Sequence, residues 1–207
     1  MSVPSPASPS LAIRALDLLA SEWTKFRSVR STYWSLLVAV VTPIAVSAVV
    51  AFAFTNAPGP GPSPDPLLPG VISLEYAVIA VSVLGVLAFS AEYSTGLIQV
   101  TFTAAPRRRA VLAAKAVVLA ATMLVVGEVV AFATFGLVQA VLAGHHDNVS
   151  LGHPRVLGAV LCTGLVLCVC ALLGLALGAI IRHTAGGIAA TIAVILVPGI
   201  VALLPAP

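Results

Sequence analysis

The chain has 207 residues, of which 60% are hydrophobic and only 8% are charged, and its mean hydropathy is +1.13. Soluble domains contain about 45–50% apolar and about 25% charged residues, so a soluble fold of this composition would lack the polar side chains to cover its surface. The sequence therefore predicts a membrane protein, and its net charge of +3, with no basic soluble domain, excludes a nucleic-acid-binding module.

The first 30 residues are expected to stay outside the hydrocarbon core. Residues 1–10, MSVPSPASPS, are rich in Pro and Ser and bury too little apolar surface to fold, which predicts a disordered tail. Over residues 11–30 the apolar side chains recur every three or four positions, which predicts an amphipathic helix. We expect this helix to lie in the cytoplasmic membrane interface with Trp23 among the headgroups. The alternative is a short cytoplasmic helix packed on a partner.

Five apolar stretches follow, each near or above the roughly 20 residues that cross a hydrocarbon core. They cover about 33–54, 71–89, 111–142, 156–181 and 185–204. The prediction is an all-α, polytopic helix bundle with about five transmembrane helices over residues 31–207. Of the ten Lys and Arg residues, all except Arg155 fall on the same side of these spans as the N-terminus. The charge rule therefore predicts a multi-pass protein of the cell membrane with its N-terminus in the cytoplasm.

The sequence predicts neither a metal site nor a disulfide framework. Cys162, Cys168 and Cys170 lie in one apolar stretch, and a two-residue spacing points the last two to nearly opposite faces of a helix. We expect them to pack against lipid or helices. The second external loop carries four potential metal ligands, but without a zinc-site spacing, and we expect it to be solvated. These residues are His145, His146, Asp147 and His153.

The most informative segment is the cytoplasmic loop between the second and third spans, Ser90 to Lys115, SAEYSTGLIQVTFTAAPRRRAVLAAK. Its alternation of apolar and small polar residues favours a short element along the membrane face, which can dock a cytoplasmic partner. Arg107–Arg109 would sit among the headgroups, where they anchor the topology and contact anionic lipid. Before them comes a Glu-Tyr-Ser-Thr-Gly turn, in which Gly96 permits a backbone conformation that other residues resist.

This loop resembles that of the type-2 permease family of ABC transporters, which carries an acidic–aromatic pair, a Thr-Gly step and a Pro followed by basic residues. The matching residues are Glu92, Tyr93, Thr95, Gly96, Pro106, Arg107, Arg108 and Arg109. The opening stretch with Glu22, Trp23 and Lys25 is similar to one that precedes the first span in many such permeases, especially actinobacterial ones. The resemblance implies that Glu92–Thr103 forms a coupling helix against an ATPase subunit.

The resemblance further implies the permease subunit of an ATP-driven exporter in the bacterial cell membrane. The sequence does not identify the substrate, and drugs, antibiotics, lipids and peptides all stay open. Its expected partners are a cytoplasmic ABC ATPase, which would bind ATP and Mg²⁺, a second permease copy in a homo- or heterodimer, and membrane lipid. The chain has no G-x-x-x-x-G-K-[ST] phosphate loop, so we expect it to be no enzyme and to bind no cofactor itself. The family has six spans. We therefore expect either a chain that continues beyond Pro207 or a shortened member that completes its bundle by association.

Two features of the spans are candidates for function or packing. Glu128 lies near mid-membrane, where an acidic side chain costs on the order of 2.5–3.5 kcal/mol. It is either a proton-accepting or substrate-facing group or a protonated Glu that hydrogen-bonds a neighbouring helix. Gly174 and Gly178 form a GxxxG step for close helix contact, within the chain or with a second copy. The rival functions are a proton- or ion-coupled carrier that uses Glu128 and a non-transporting scaffold or immunity protein.

Overall fold

A computed structural model of the protein describes residues 11–28, 30–56, 67–94, 108–144, 149–152 and 154–202, and these residues form six helices without a strand. The predicted tail (1–10) and the external-loop residues His145, His146, Asp147 and His153 lie outside the described residues. The helices are α1 (Leu11–Ser28), α2 (Arg30–Asn56), α3 (Leu68–Ser94), α4 (Arg108–Ala143), α5 (Pro154–Ile181) and α6 (Thr184–Ala202).

The predicted all-α membrane bundle is confirmed, and the chain is a multi-pass membrane protein. Four stretches, in α2 to α5, are long and apolar enough to cross a membrane: Thr32–Asn56, Leu68–Ser90, Ala110–Ala143 and Arg155–Ile181. The fifth predicted span corresponds to α6, whose apolar part, Thr184–Val197, is shorter. With 19 residues, α6 is about 28 Å long, close to the roughly 30 Å of a hydrocarbon core.

The helices extend into the segment predicted as a cytoplasmic loop. α3 continues to Ser94 and α4 begins at Arg108, so only residues 95–107 of the predicted 90–115 loop lie between them. The sequence RRAVLAAK at the start of α4 consists mostly of good helix formers, which extend the helix past the end of its apolar stretch. With 36 residues, α4 is about 54 Å long and must project beyond the hydrocarbon.

α3 lies at the centre of the bundle. It packs against α2, α4, α5 and α6, and its most extensive contact is with α5. α2 and α5 also contact α4, while α1 packs mainly on α4. The main core cluster draws its buried residues chiefly from α3, α4 and α5, including Leu84, Leu119, Met123 and Leu167.

The contact between α3 and α5 brings backbone against backbone. A Cβ atom added to Gly85 would overlap the carbonyl oxygen of Ala171, and one added to Gly174 would overlap that of Ser82. One added to Gly178 would lie 3.1 Å from the carbonyl oxygen of Val86. The predicted GxxxG residues, Gly174 and Gly178, therefore face α3 of the same chain, where small residues allow this close approach.

A short turn returns the chain from α5 to α6. Arg182 has a φ of 56°, in the left-handed region that the residue after the end of a helix commonly adopts. Its N–H donates a hydrogen bond to the Gly178 carbonyl at 3.0 Å. The Nδ1 atom of His183 accepts a hydrogen bond from the Gly186 N–H at 3.2 Å. This bond satisfies one of the N–H groups that the first turn of α6 leaves without a partner in the helix.

Replacing Gly174 with Ala should destabilise the bundle, because the added methyl overlaps main-chain atoms of α3 that cannot rotate away. We expect a loss on the order of 1–3 kcal/mol, measured as a lower thermal midpoint of the detergent-solubilised protein in gel filtration. Gly136→Ala is the matched control, since nothing lies within 4 Å of a Cβ at Gly136. Equal midpoints for the two variants would contradict the close α3–α5 contact.

Candidate functional site

A buried ion pair fastens α1 to α4. Glu22 is 3% exposed and Lys115 is 9% exposed. The Nζ atom of Lys115 lies 2.8 Å from Oε2 of Glu22, and the Nζ atom of Lys25 lies 2.6 Å from Oε1. One carboxylate thus holds two ammonium groups, one from its own helix and one from α4.

The two lysines keep the Glu22 carboxyl ionised despite its burial. Burial raises the pKa of Glu22 and is the largest single effect, but hydrogen bonds and charge from Lys115 and Lys25 together outweigh it, and the net pKa is lowered. A lowered folded-state pKa contributes stability above the unfolded-state pKa, and that stability is lost as the pH falls through the folded-state value. The site is therefore complete at neutral pH and weakens in acid.

The structure gives α1 three faces where the sequence predicted two. The inward face, which packs on the bundle, consists of Leu18, Leu19, Glu22, Lys25 and Phe26. An exposed apolar face carries Leu16, Ala20 and Trp23, with Trp23 48% exposed, and an exposed polar face carries Asp17, Ser21, Thr24 and Ser28. Of the predicted interfacial residues, Glu22 and Lys25 thus point inward and Trp23 points outward.

Further contacts hold α1 at the end of the bundle where α3 ends and α4 begins. Phe26 packs against the core cluster that includes Phe89 of α3 and Leu119 of α4. The Tyr33 hydroxyl of α2 donates a hydrogen bond to the Arg27 carbonyl at 2.7 Å. We call this end of the molecule the α1 end.

The predicted coupling residues fall at the α1 end or outside the described residues. Glu92 and Tyr93 lie in the last turn of α3, and Arg108 and Arg109 lie in the first turn of α4. Thr95, Gly96 and Arg107 lie outside the described residues. α1 is paired with Lys115 in the second turn of α4, just past the border of the 95–107 segment at Arg108.

Sequence reasoning missed Lys115 as the partner of Glu22. The charge and hydropathy patterns place Lys115 at the end of a cytoplasmic loop, whereas it lies inside α4 and is buried. The signal was present, because a Lys surrounded by Ala and Val in a helix requires a partner or access to water. The sequence does not indicate which residue is the partner of Lys115, because Glu22 is distant in the chain.

Glu128 is not part of this site. Its carboxyl packs directly on Gly164 of α5, where an added Cβ would overlap it, and Gly127 faces the same glycine. Oε2 of Glu128 is buried and has no hydrogen-bond partner among the described residues. Glu128 and Lys115 are separated by about 20 Å along α4.

The sequence profile of a family described as ABC-2 family transporter protein matches residues 18–199. The match begins inside α1 and ends in α6, so it covers Glu22, Lys115 and every candidate span. No curated protein and no solved structure matches the chain significantly.

Replacing Glu22 with Gln should loosen α1 from α4, because the neutral amide no longer attracts the Lys115 ammonium across the contact between the two helices. We expect a loss on the order of 1.5–3 kcal/mol at neutral pH, measured as faster proteolysis within α1 and a lower thermal midpoint. The difference in thermal midpoint between the wild type and Glu22→Gln should become smaller as the pH falls, because protonation of Glu22 removes the same charge from the wild type.

Asp17→Asn provides the matched control for this variant. It makes the same carboxylate-to-amide change on the exposed polar face of α1 and should leave both measurements unchanged. If Asp17→Asn and Glu22→Gln behaved alike, the ion pair would not hold α1 in place.

Proposed function

Since the chain belongs to the ABC-2 family of transporter proteins, we propose that it is the permease subunit of an ATP-driven exporter and works with a separate ATPase subunit. The observation that carries this proposal is the buried Glu22–Lys115 ion pair. It joins α1, which lies outside the candidate spans, to a helix that runs through the whole bundle.

The ion pair supplies a route by which an ATPase could move the spans. Residues 95–107 connect α3 to α4, and α1 packs on α4 just past the end of this segment. A partner that displaces α1 or residues 95–107 would therefore displace α4 directly. Because α4 is continuous over 36 residues, the displacement would reach the opposite end of the bundle.

The proposed orientation places the α1 end in the cytoplasm. The basic residues Lys25, Arg27, Arg30, Arg108, Arg109 and Lys115 gather at this end, which the positive-inside rule assigns to the cytoplasm. The exposed apolar face of α1, with Leu16 65% and Trp23 48% exposed, suits burial in the headgroup region. A second permease copy would complete the transport unit.

Affinity purification of the tagged chain from its native membranes, in mild detergent, should recover an ATPase subunit in a stoichiometric amount. ATP hydrolysis by that complex should require the permease. The Glu22→Gln variant should recover less ATPase, because α1 forms part of the proposed contact with the ATPase. An uptake driven by a proton gradient, without an ATPase and lost in Glu128→Gln, would instead support a carrier centred on Glu128.

Substituting Glu92 with Ala or Gly96 with Val should uncouple ATP hydrolysis from transport while the protein remains inserted in the membrane. The reason is that both residues belong to Glu92–Thr103, the segment expected to contact the ATPase, and lie outside the candidate spans. Hydrolysis and uptake into inverted vesicles should be measured on the same preparation, with Gly136→Ala as a control on the lipid-facing side of α4. Normal transport by both variants would contradict the coupling assignment.

A further inference from the structure

A cavity of about 140 Å³ lies between α3, α4 and α5, toward the end of the bundle opposite α1. Pro43 of α2 contributes to its wall, and most of the lining side chains are aliphatic or aromatic, among them Leu74, Phe135 and Val160. Among the residues that the structure describes, no charged side chain lines it. The cavity is partly open to the surface, is lined by helices of a single chain and is separate from the Glu22–Lys115 site.

Four of the polar side chains that line the cavity divide into two pairs. The hydroxyl of Ser73 donates to the Gly70 carbonyl at 2.9 Å, and that of Thr163 donates to the Ala159 carbonyl at 3.0 Å. Both are satisfied by their own helices. The other two, Thr134 and Gln139 of α4, each have a polar atom without such a partner.

Thr134 is 7% exposed, and its Oγ1 atom has no hydrogen-bond partner among the described residues. Oε1 of Gln139 accepts a hydrogen bond from the Val149 N–H at 2.6 Å, which fixes the orientation of the amide. Nε2 of Gln139 is buried and likewise unpartnered among the described residues. An unsatisfied buried polar group costs about 1–3 kcal/mol, so a molecule that supplied the missing hydrogen bonds would be held at this position.

We propose that this cavity is a binding site for an uncharged, ring-sized apolar group that carries a hydroxyl. An apolar cavity of roughly 150 Å³ accepts benzene, which sets the size of the group. The hydrogen of the hydroxyl is donated to Oγ1 of Thr134, which has no partner among the described residues. The described lining residues are apolar or uncharged, so they favour an uncharged ligand over an ionised one, which would lose its hydration without gaining a counter-charge from them. The site does not depend on the exporter assignment.

The test uses 4-fluorophenol as the probe and the full chain in lipid nanodiscs. Fluorine NMR line broadening, after subtraction of empty nanodiscs, reports binding. We expect saturable broadening with the wild type and about fivefold weaker binding in Thr134→Val, which keeps the shape of the side chain but removes the hydroxyl. Thr122→Val is the matched control, because the Thr122 hydroxyl is already satisfied by the Val118 carbonyl at 2.8 Å.

A second pair of variants tests the volume of the cavity. Ala131 lines the cavity and is 5% exposed, so Ala131→Phe should abolish the broadening. Ala133→Phe makes the same change at an exposed position of α4 and should retain it. Fluorobenzene, which lacks the hydroxyl, should bind Thr134→Val as well as it binds the wild type.

Two outcomes would overturn the proposal. Equal broadening in the wild type, Ala131→Phe and Thr134→Val would show that the probe only partitions into lipid. No broadening above empty nanodiscs would show that the cavity holds water only. Because Thr134→Val preserves volume, its result stands even if Ala131→Phe fails to fold.

Discussion

The backbone contact between α3 and α5 is the constraint on which the rest of the bundle depends. In a bilayer, lipid tails are as apolar as the side chains, so helices associate through close packing and not through a hydrophobic driving force. Gly85 and Gly174 allow that packing, because each leaves room for a carbonyl oxygen of the other helix. Since α3 also contacts α2, α4 and α6, its distance from α5 sets where the remaining helices can lie.

Two glutamates of the bundle illustrate how position decides what a buried carboxyl does. Glu22 lies beside the second turn of α4, where Lys115 of that helix and Lys25 of its own helix approach it and form ion pairs. Glu128 lies in mid-span, where its carboxyl packs on Gly164 and one oxygen has no partner among the described residues. The ion pair of Glu22 fixes α1, which lies outside the candidate spans, to α4. At Glu128, α4 and α5 can lie close together because the carboxyl occupies the space that a side chain at Gly164 would need.

The sequence predicts the helices well and their contacts poorly. Hydropathy finds all five apolar stretches because each is dictated by the local composition, and the small residues Gly174 and Gly178 identify one helix of a close contact. Their partners Ser82 and Val86 carry no comparable signal, nor does Lys115, because pairing depends on how helices that are distant in the chain are arranged. The limits of residues 95–107 were misjudged because helix propensity continues the helices beyond the apolar stretches. The cavity around Thr134 depends on how α3, α4 and α5 pack together, which no local sequence pattern indicates.

α4 connects features that would otherwise be unrelated. Along this one helix lie Lys115, which holds α1; Glu128, which packs on α5; and Thr134 and Gln139, which line the cavity. A helix without an internal Pro transmits a displacement along its axis instead of absorbing it. Binding at the cavity and a force applied at α1 would therefore act on the same rigid element. If α4 has two positions in the bundle, and the cavity ligand and the partner of α1 each prefer one of them, then each changes the affinity of the protein for the other by the same factor.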